Sequence, residues 1–267
     1  MRSRVDPLRV YGMLFLVFLY GPVLLMSLFS FNDSIFAVFP LKAFTLKHYE
    51  AAAANAGMMR ALTNSLIVGV GVSIISTVIG LLAAMAFTRY RLPGGAAIMG
   101  GIMIPLVVPS IILGISILII MRWVFDVELS LWTIASGHVL ICVPFALMVL
   151  MSRLEGFDKS LEEASGDLGE RPLMTFWRVT LPLALPGIVS SLLMCFTVSF
   201  DEFVIAFFLS GTEPTLPIYL FSQLRFPTKL PSMLALGSAI LFMSTLIVVT
   251  SEMLRKRGVQ PDKSAGL

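Results

Sequence analysis

Six long apolar runs constrain what this sequence can fold into more than any other feature. They cover about residues 10–31, 61–88, 95–121, 132–152, 183–210 and 233–254. A helix of roughly 20 residues crosses the hydrocarbon core of a bilayer, and it satisfies its own backbone hydrogen bonds there. The sequence therefore predicts an all-α membrane protein with six transmembrane helices, folded as a single transmembrane domain over residues 1–267.

The composition agrees with this prediction. Hydrophobic residues make up 57% of the chain and charged residues only 13%, whereas soluble proteins carry about 25% charged residues. The net charge of +3 gives no reason to expect a nucleic acid partner. The first apolar run is longer than the 7–15 residues of a secretory signal core, so we expect an uncleaved span.

The distribution of positive charge predicts the orientation, because cytoplasmic segments of membrane proteins are enriched in Lys and Arg. Thirteen basic residues lie on the side that holds both termini: Arg2, Arg4, Arg9, Arg89, Arg91, Arg153, Lys159, Arg171, Arg178, Arg255, Lys256, Arg257 and Lys263. Six lie on the other side: Lys42, Lys47, Arg60, Arg122, Arg225 and Lys229. Both termini are therefore predicted to be cytoplasmic.

Prolines interrupt several of the apolar runs. Pro105 and Pro109 lie in the third, Pro144 in the fourth and Pro186 near the start of the fifth. A proline inside a helix frees a backbone carbonyl and bends the axis. We expect bent helices, which serve either ordinary packing or a pathway between the helices.

The predicted inner loop, residues 153–182, carries signals for two short helices. Ser160 followed by Glu163 predicts a capping box that starts a helix, and Gly169 is suited to end it in a left-handed conformation. Pro172 suits the first turn of a second helix, which Leu181–Pro182 is predicted to end before the fifth span. The loop combines the apolar anchors Met174, Phe176 and Trp177 with the charges of Glu163, Glu170 and Arg178, a composition typical of a docking surface.

The spacing in this loop resembles the EAA loop of ABC importer permeases, which reads E-A-A, three residues, G, nine residues, I-x-L-P. Here the corresponding residues are Glu163–Ala164–Ser165, Gly169 and Val179–Thr180–Leu181–Pro182. The resemblance implies the type I ABC importer permease fold, with a short cytoplasmic coupling-helix loop that docks on an ATPase subunit. The coupling residues it implies are Glu163, Ala164, Ser165, Leu168, Gly169, Phe176, Leu181 and Pro182.

The rest of the chain is similar to the spermidine/putrescine branch of these permeases. The similar segments are Ser30–Asn32, Ala61–Ser65, Pro105–Pro109, Val143–Phe145, Ser199–Phe203 and Thr215–Pro217. Two features differ: Ser110 stands where relatives often carry an acid, and Phe226 to Leu236 lacks their Asn-Pro-Glu stretch. The implied substrate is a polyamine or related small organic cation, and an amino acid, opine-like compound or metal stays open.

The resemblance also implies partners and a location. We expect two ABC ATPase subunits, a second homologous permease, identical or different, and a periplasmic substrate-binding protein, assembled in the bacterial inner membrane. The sequence has no G-x-x-x-x-G-K-[ST] phosphate-binding loop and neither H-E-x-x-H nor G-x-S-x-G. We therefore expect no catalysis and no bound cofactor in this chain, with ATP and Mg used by the partner ATPases.

Two adjacent acids, Asp201 and Glu202, lie within apolar sequence. A charge at mid-membrane costs about 2.5–3.5 kcal/mol on insertion scales, and a helical rise of 1.5 Å per residue places the acids about 21 Å beyond Gly187, in the outer third. Either they attract the ammonium groups of a cationic substrate, or they mark a helix break or pair with Arg122 or Arg225.

Other classes of protein remain as alternatives. An ion-coupled secondary transporter could use these acids as proton carriers, but it would be expected to show an inverted repeat and more spans. An intramembrane enzyme would need acids or histidines on different spans, whereas His138 is isolated. Cys142 and Cys195 are expected to be free, buried thiols, and no metal site is predicted.

Overall fold

The computed structural model describes residues 7–156 and 158–258. Within these residues the regular secondary structure is helical, and the connecting segments include one isolated β-bridge between Asn32 and Phe44. The helices are α1 (Pro7–Phe29), α2 (Lys47–Ala54), α3 (Ala56–Arg89), α4 (Gly95–Val107), α5 (Ser110–Ile119), α6 (Leu131–Glu155), α7 (Ser160–Asp167), α8 (Pro172–Thr175), α9 (Leu181–Asp201), α10 (Val204–Leu209), α11 (Leu216–Gln223) and α12 (Leu230–Gly258).

Among the described residues, five helices are long and apolar enough to cross a membrane. A bent pair of shorter helices, counted as one span, brings the number to six. The predicted all-α membrane fold is thus confirmed. The third run, predicted over 95–121 with a bend at its prolines, forms two helices, because α4 and the helix over Ser110–Val124 meet at an angle of 103°. Pro109 precedes α5, and Val108 before it is extended with ψ 131°, the conformation that a following proline favours.

The fifth run also differs from its predicted bounds of 183–210. Its helix begins at Pro172 and ends at Asp201, and the last predicted residues form the separate helix α10. Pro144 and Pro186 lie inside the continuous helices α6 and α9.

The chain divides into two compact units, residues 60–219 and residues 1–59 with 220–267. In the first unit α6 contacts α9, α4 contacts α6, and α10 contacts both α5 and α6. Gly80 of α3 lies so close to α6 that a Cβ there would be 2.6 Å from the Cβ of Ala146. Small residues allow this close approach of membrane helices, so the glycine sets the distance between α3 and α6.

The second unit contains α1, α2 and α12, with α12 in contact with the other two helices. Its α1 exposes most of its surface, since only 6% of its apolar span is buried. The segment between α1 and α2 is folded by backbone hydrogen bonds from Asp33 to Ala43 and from Thr45 to Phe31.

Candidate functional site

The loop between α6 and α9 begins its first helix with a different cap from the predicted one. The Asp158 carboxylate accepts the backbone N–H of Ser160 at 3.0 Å, and this hydrogen bond holds the pKa of Asp158 below its usual value. Ser160 is already inside α7, so the predicted capping box of Ser160 with Glu163 is wrong. Gly169, with φ 86°, has the left-handed conformation that its position predicts.

The second helix of the loop begins at Pro172, as predicted, but it does not end at Leu181–Pro182. It continues through a π-helical turn, Phe176–Thr180, directly into α9. A proline ring inside a regular helix clashes with the carbonyl of the preceding turn. The wider turn just before Pro182 is consistent with relief of that clash, so loop and span form one helix of 30 residues, Pro172–Asp201.

An ion pair ties α7 to the end of α3. Arg89 Nη2 donates to Glu162 Oε1 at 2.8 Å, and Arg89 Nε lies 2.7 Å from Glu162 Oε2. Thr180 Oγ1 donates to Glu162 Oε1 at 2.7 Å. The Lys159 ammonium adds a hydrogen bond to the carbonyl of Thr88 at 3.0 Å. These contacts fix the loop to α3 and to the start of α9.

The loop also exposes apolar side chains. We call five of them the docking face: Leu161 (47% exposed), Leu168 (86%), Leu173 (71%), Met174 (41%) and Trp177 (57%). A Leu at 86% exposure is far outside the range of a packed side chain. Surfaces of this kind mark interaction sites.

The predicted coupling residues divide between the two sides of the loop. Glu163, Ala164, Leu168, Gly169 and Pro182 are exposed. Ser165 and Phe176 face inward: Ser165 shares a hydrogen bond with Thr175 at 3.0 Å, and Phe176 packs against a core cluster of α3, α6 and α9. Leu181 is half-buried.

The acidic pair lies at a break between two helices. α9 ends at Asp201, Glu202 is extended, and α10 begins at Val204. Glu202 Oε1 accepts the backbone N–H of Ile205 at 3.0 Å and so caps α10, while Asp201 is exposed. Of the two interpretations of these acids, a helix break is present in the structure, and the role in substrate attraction stays a prediction.

The short helix α10 is held tightly between α5 and α6. A Cβ on Gly114 would lie 2.7 Å from the Phe208 ring, and one on Gly137 would lie 2.6 Å from Ile205 and Leu209. Thr133 Oγ1 also donates to the carbonyl of Leu209 at 2.8 Å. The residues after the break therefore have a fixed position within this unit.

Residues 76–258 match the profile of a family described as the binding-protein-dependent transport system inner membrane component. The chain belongs to this family. The match includes the loop, the docking face and the helix break. The permease is thus a multi-pass membrane protein of a transport family, which is not a family of enzymes.

Relatives and solved structures agree with this assignment. The permease is 30% identical over 250 residues to the spermidine/putrescine transport system permease protein PotC of Escherichia coli K12, covering 93% of this chain and 92% of PotC. It is 34% identical over 261 residues to the putrescine transport system permease protein PotI of the same organism, covering 91% of each. One chain of a bacterial ABC transporter that imports the acidic polysaccharide alginate shares the fold, with TM-score 0.71, 17% identity and coverage of 94% and 98%.

The buried polar residues of the permease form contacts between its helices. His138 Nδ1 lies 2.9 Å from Ser199 Oγ, and the free thiols of Cys142 and Cys195 are buried one helical turn further along. Within the described residues no group of three or more His, Cys, Asp or Glu could hold a metal ion.

Sequence reasoning missed the Arg89–Glu162 pair, although it noted Arg89 as a charge at the end of a span. The two residues are 73 positions apart, and nothing in their local sequence predicts the contact. The only signal for this contact in the sequence was the acid Glu162, next to the EAA motif, and the base Arg89, at the end of a span.

Proposed function

We propose that this permease forms half of the translocation pathway of an ABC importer for a polyamine or a related small organic cation. The observation that carries the coupling role is the docking face. Its five exposed apolar side chains lie on a loop that Arg89 and Glu162 fix to α3. Such a surface fits a hydrophobic groove on an ATPase subunit, with Glu163 at its rim.

Force from the ATPase would reach the membrane by two connections. The Arg89–Glu162 pair links the loop to α3, and the helix Pro172–Asp201 links it to the break at Glu202. At 1.5 Å per residue this helix is about 45 Å long. Closing of the ATPases on bound ATP and Mg would therefore move the coupling helix and the acidic pair together, opening and closing the pathway.

The proposed substrate is a cation because Asp201 is an exposed acid at the break, and because the relatives PotC and PotI are spermidine/putrescine and putrescine permeases. An Asp carboxylate forms strong charge-assisted hydrogen bonds with ammonium groups. The capping role of Glu202 leaves Asp201 as the better candidate for contact with substrate.

The proposed assembly contains two ATPase subunits, a second homologous permease and a periplasmic binding protein. In it the termini and the loop with the docking face are cytoplasmic, in agreement with the distribution of basic residues. An ion-coupled secondary transporter is the competing proposal, and it requires no ATPase.

The test is purification of the permease from membranes in mild detergent, identification of its partners, and reconstitution in liposomes. We expect an ATPase and a binding protein to accompany it. Uptake of labelled putrescine or spermidine should require the binding protein and ATP on the ATPase side. Uptake by the permease alone, driven by an ion gradient, would refute the coupling role; ATP-driven uptake of a different solute would refute only the substrate.

A further inference from the structure

The segment between α1 and α2 exposes a second apolar surface. We call residues 35–46 the apolar loop; their sequence is IFAVFPLKAFTL, in which Lys42 is the sole charge. Seven of its side chains are large, hydrophobic and 41–77% exposed: Ile35, Phe36, Val38, Phe39, Leu41, Phe44 and Leu46. A cluster of exposed apolar side chains of this kind marks an interaction site.

The exposure is imposed by the fold of the segment. Asn32 Oδ1 accepts the backbone N–H of Lys42 at 2.8 Å, and the backbone carbonyl of Asn32 lies 3.0 Å from His48 Nε2. Tyr49 and Ser30 share a hydrogen bond at 2.7 Å. Because this polar base holds both ends of the apolar loop, its side chains cannot turn inward without breaking these contacts.

The apolar loop folds back on the end of α1. The Phe39 ring lies 5.1 Å from the ring of Phe29, the last residue of α1, and Leu41 and Leu28 line one shallow apolar cleft. The loop therefore lies beside the last turn of the span. That span exposes its apolar side chains over nearly its whole length, and the Phe29–Phe39 contact places the loop at the end of this exposed surface.

We propose that the apolar loop is a membrane-interface anchor, whose Phe, Ile, Leu and Val side chains lie in the boundary between lipid headgroups and acyl chains at the C-terminal end of α1. Aromatic and aliphatic side chains partition into this zone, which borders the apolar acyl chains on one side and water on the other. Lys42 suits it as well, since a lysine at this depth can extend its ammonium to lipid phosphate.

Composition favours lipid over a protein partner. Interfaces that form and dissociate, such as one with a binding protein, have a polar rim around their apolar centre. The apolar loop has no acid and one base in twelve consecutive residues. The polar groups that flank it, Asn32, His48 and the Lys47–Asp33 ion pair, lie at its base.

The experiment measures the depth of the apolar loop in the assembled transporter, in nanodiscs of phosphatidylethanolamine and phosphatidylglycerol. A nitroxide spin label is attached at Val38→Cys, which disturbs no ring contact, and separately at Phe36→Cys. Glu50→Cys, an exposed residue of α2 in the same unit, is the control. The two native cysteines are buried, and unmodified protein treated with the label gives the background.

We expect labels at Val38 and Phe36 to collide several-fold more often with oxygen, which dissolves in lipid, than with a water-soluble nickel chelate. The ratio should be reversed at Glu50 and should not change when binding protein is added. Frequent collision with the nickel chelate at both loop positions would overturn the proposal in favour of a water-exposed surface. Protection from both reagents would overturn it in favour of a protein partner.

Discussion

The loop at 158–180 and the helix break at 201–204 both contain neighbouring acids, and in each pair one acid is used for structure. In the loop, Glu162 is bound by Arg89 and Thr180 while Glu163 is exposed. At the break, Glu202 caps α10 while Asp201 is exposed. In both pairs the adjacent acids therefore divide their roles: one holds the backbone in place, which leaves the other available to a partner.

The two regions differ in what surrounds the available acid. Glu163 stands beside the exposed docking face, which offers apolar area to a protein. Asp201 lies at the end of a membrane helix, next to a short helix held between Gly114 and Gly137. The loop is therefore suited to bind a large partner, and the break is suited to meet a small charged one.

The strongest test of the loop is a β-branched residue at Gly169. Its φ of 86° costs such a residue about 1–3 kcal/mol, and no atom lies within 4 Å of a Cβ built there, so the effect is conformational and not steric. We expect Gly169→Val to reduce ATP-driven uptake at least tenfold with normal amounts of permease in the membrane.

Gly166→Ala is the control for this variant, because Gly166 lies in α7 with no positive φ and equal space for a Cβ. Its uptake should stay near that of the unmodified permease. Normal uptake by Gly169→Val would argue against any role of the loop geometry in coupling.

The next largest effect should come from the ion pair. Removing one partner of a largely buried pair leaves an uncompensated charge, at a cost of ~3 kcal/mol. We expect Arg89→Ala and Glu162→Ala each to weaken retention of the ATPase about tenfold in co-purification. The double variant with the two charges exchanged, Arg89→Glu with Glu162→Arg, should recover part of the ATPase retention. If it loses as much retention as the single variants, the attraction between the two charges is unimportant for coupling.

Changes on the docking face should act on ATPase binding alone. Leu168→Asp places a charge on an 86% exposed side chain and so leaves the fold intact, and we expect about fivefold weaker ATPase binding. Asp167→Asn, at the neighbouring exposed position, is the control and should bind normally. The measurement is titration of purified ATPase onto the permease in nanodiscs.

At the helix break, substitutions of Asp201 and Glu202 should have different effects on the KM of uptake. Asp201→Asn should raise KM for putrescine uptake about threefold with little change in the maximal rate, since it removes a charge at an exposed position. Glu202→Gln keeps an oxygen that can cap α10 and should change uptake less than twofold. A larger KM effect at Glu202 would reverse the assignment.

The smallest effect concerns pH and Asp158. A carboxylate whose pKa is lowered on folding stabilises the folded loop above its unfolded pKa of about 3.9, and this contribution is lost as pH falls through the folded value. Fluorescence of Trp177 should therefore change below about pH 4. Asp158→Asn should remove that pH dependence, and an unchanged profile would exclude Asp158 as its source.

Local sequence signals predicted much of the fold. Apolar runs give the spans because the bilayer fixes their length, and Gly169 and Pro172 mark a helix end and start through backbone geometry alone. The angle at Pro109 and the continuation past Pro182 depend on how neighbouring turns relieve a proline, so the same residue breaks one helix and is accommodated in another. The Arg89–Glu162 contact depends on the packing of α3 against α6, which the sequence does not specify locally.

The π-helical turn before α9 can act as the joint of a lever. A π-helical turn is a local departure from the α-helix that is frequent at functional sites, and the 21 residues of α9 beyond it form an arm of about 30 Å. Each degree of bending there would displace Asp201 by about 0.5 Å, so a bend of about six degrees would move the acid by about 3 Å, the length of one hydrogen bond.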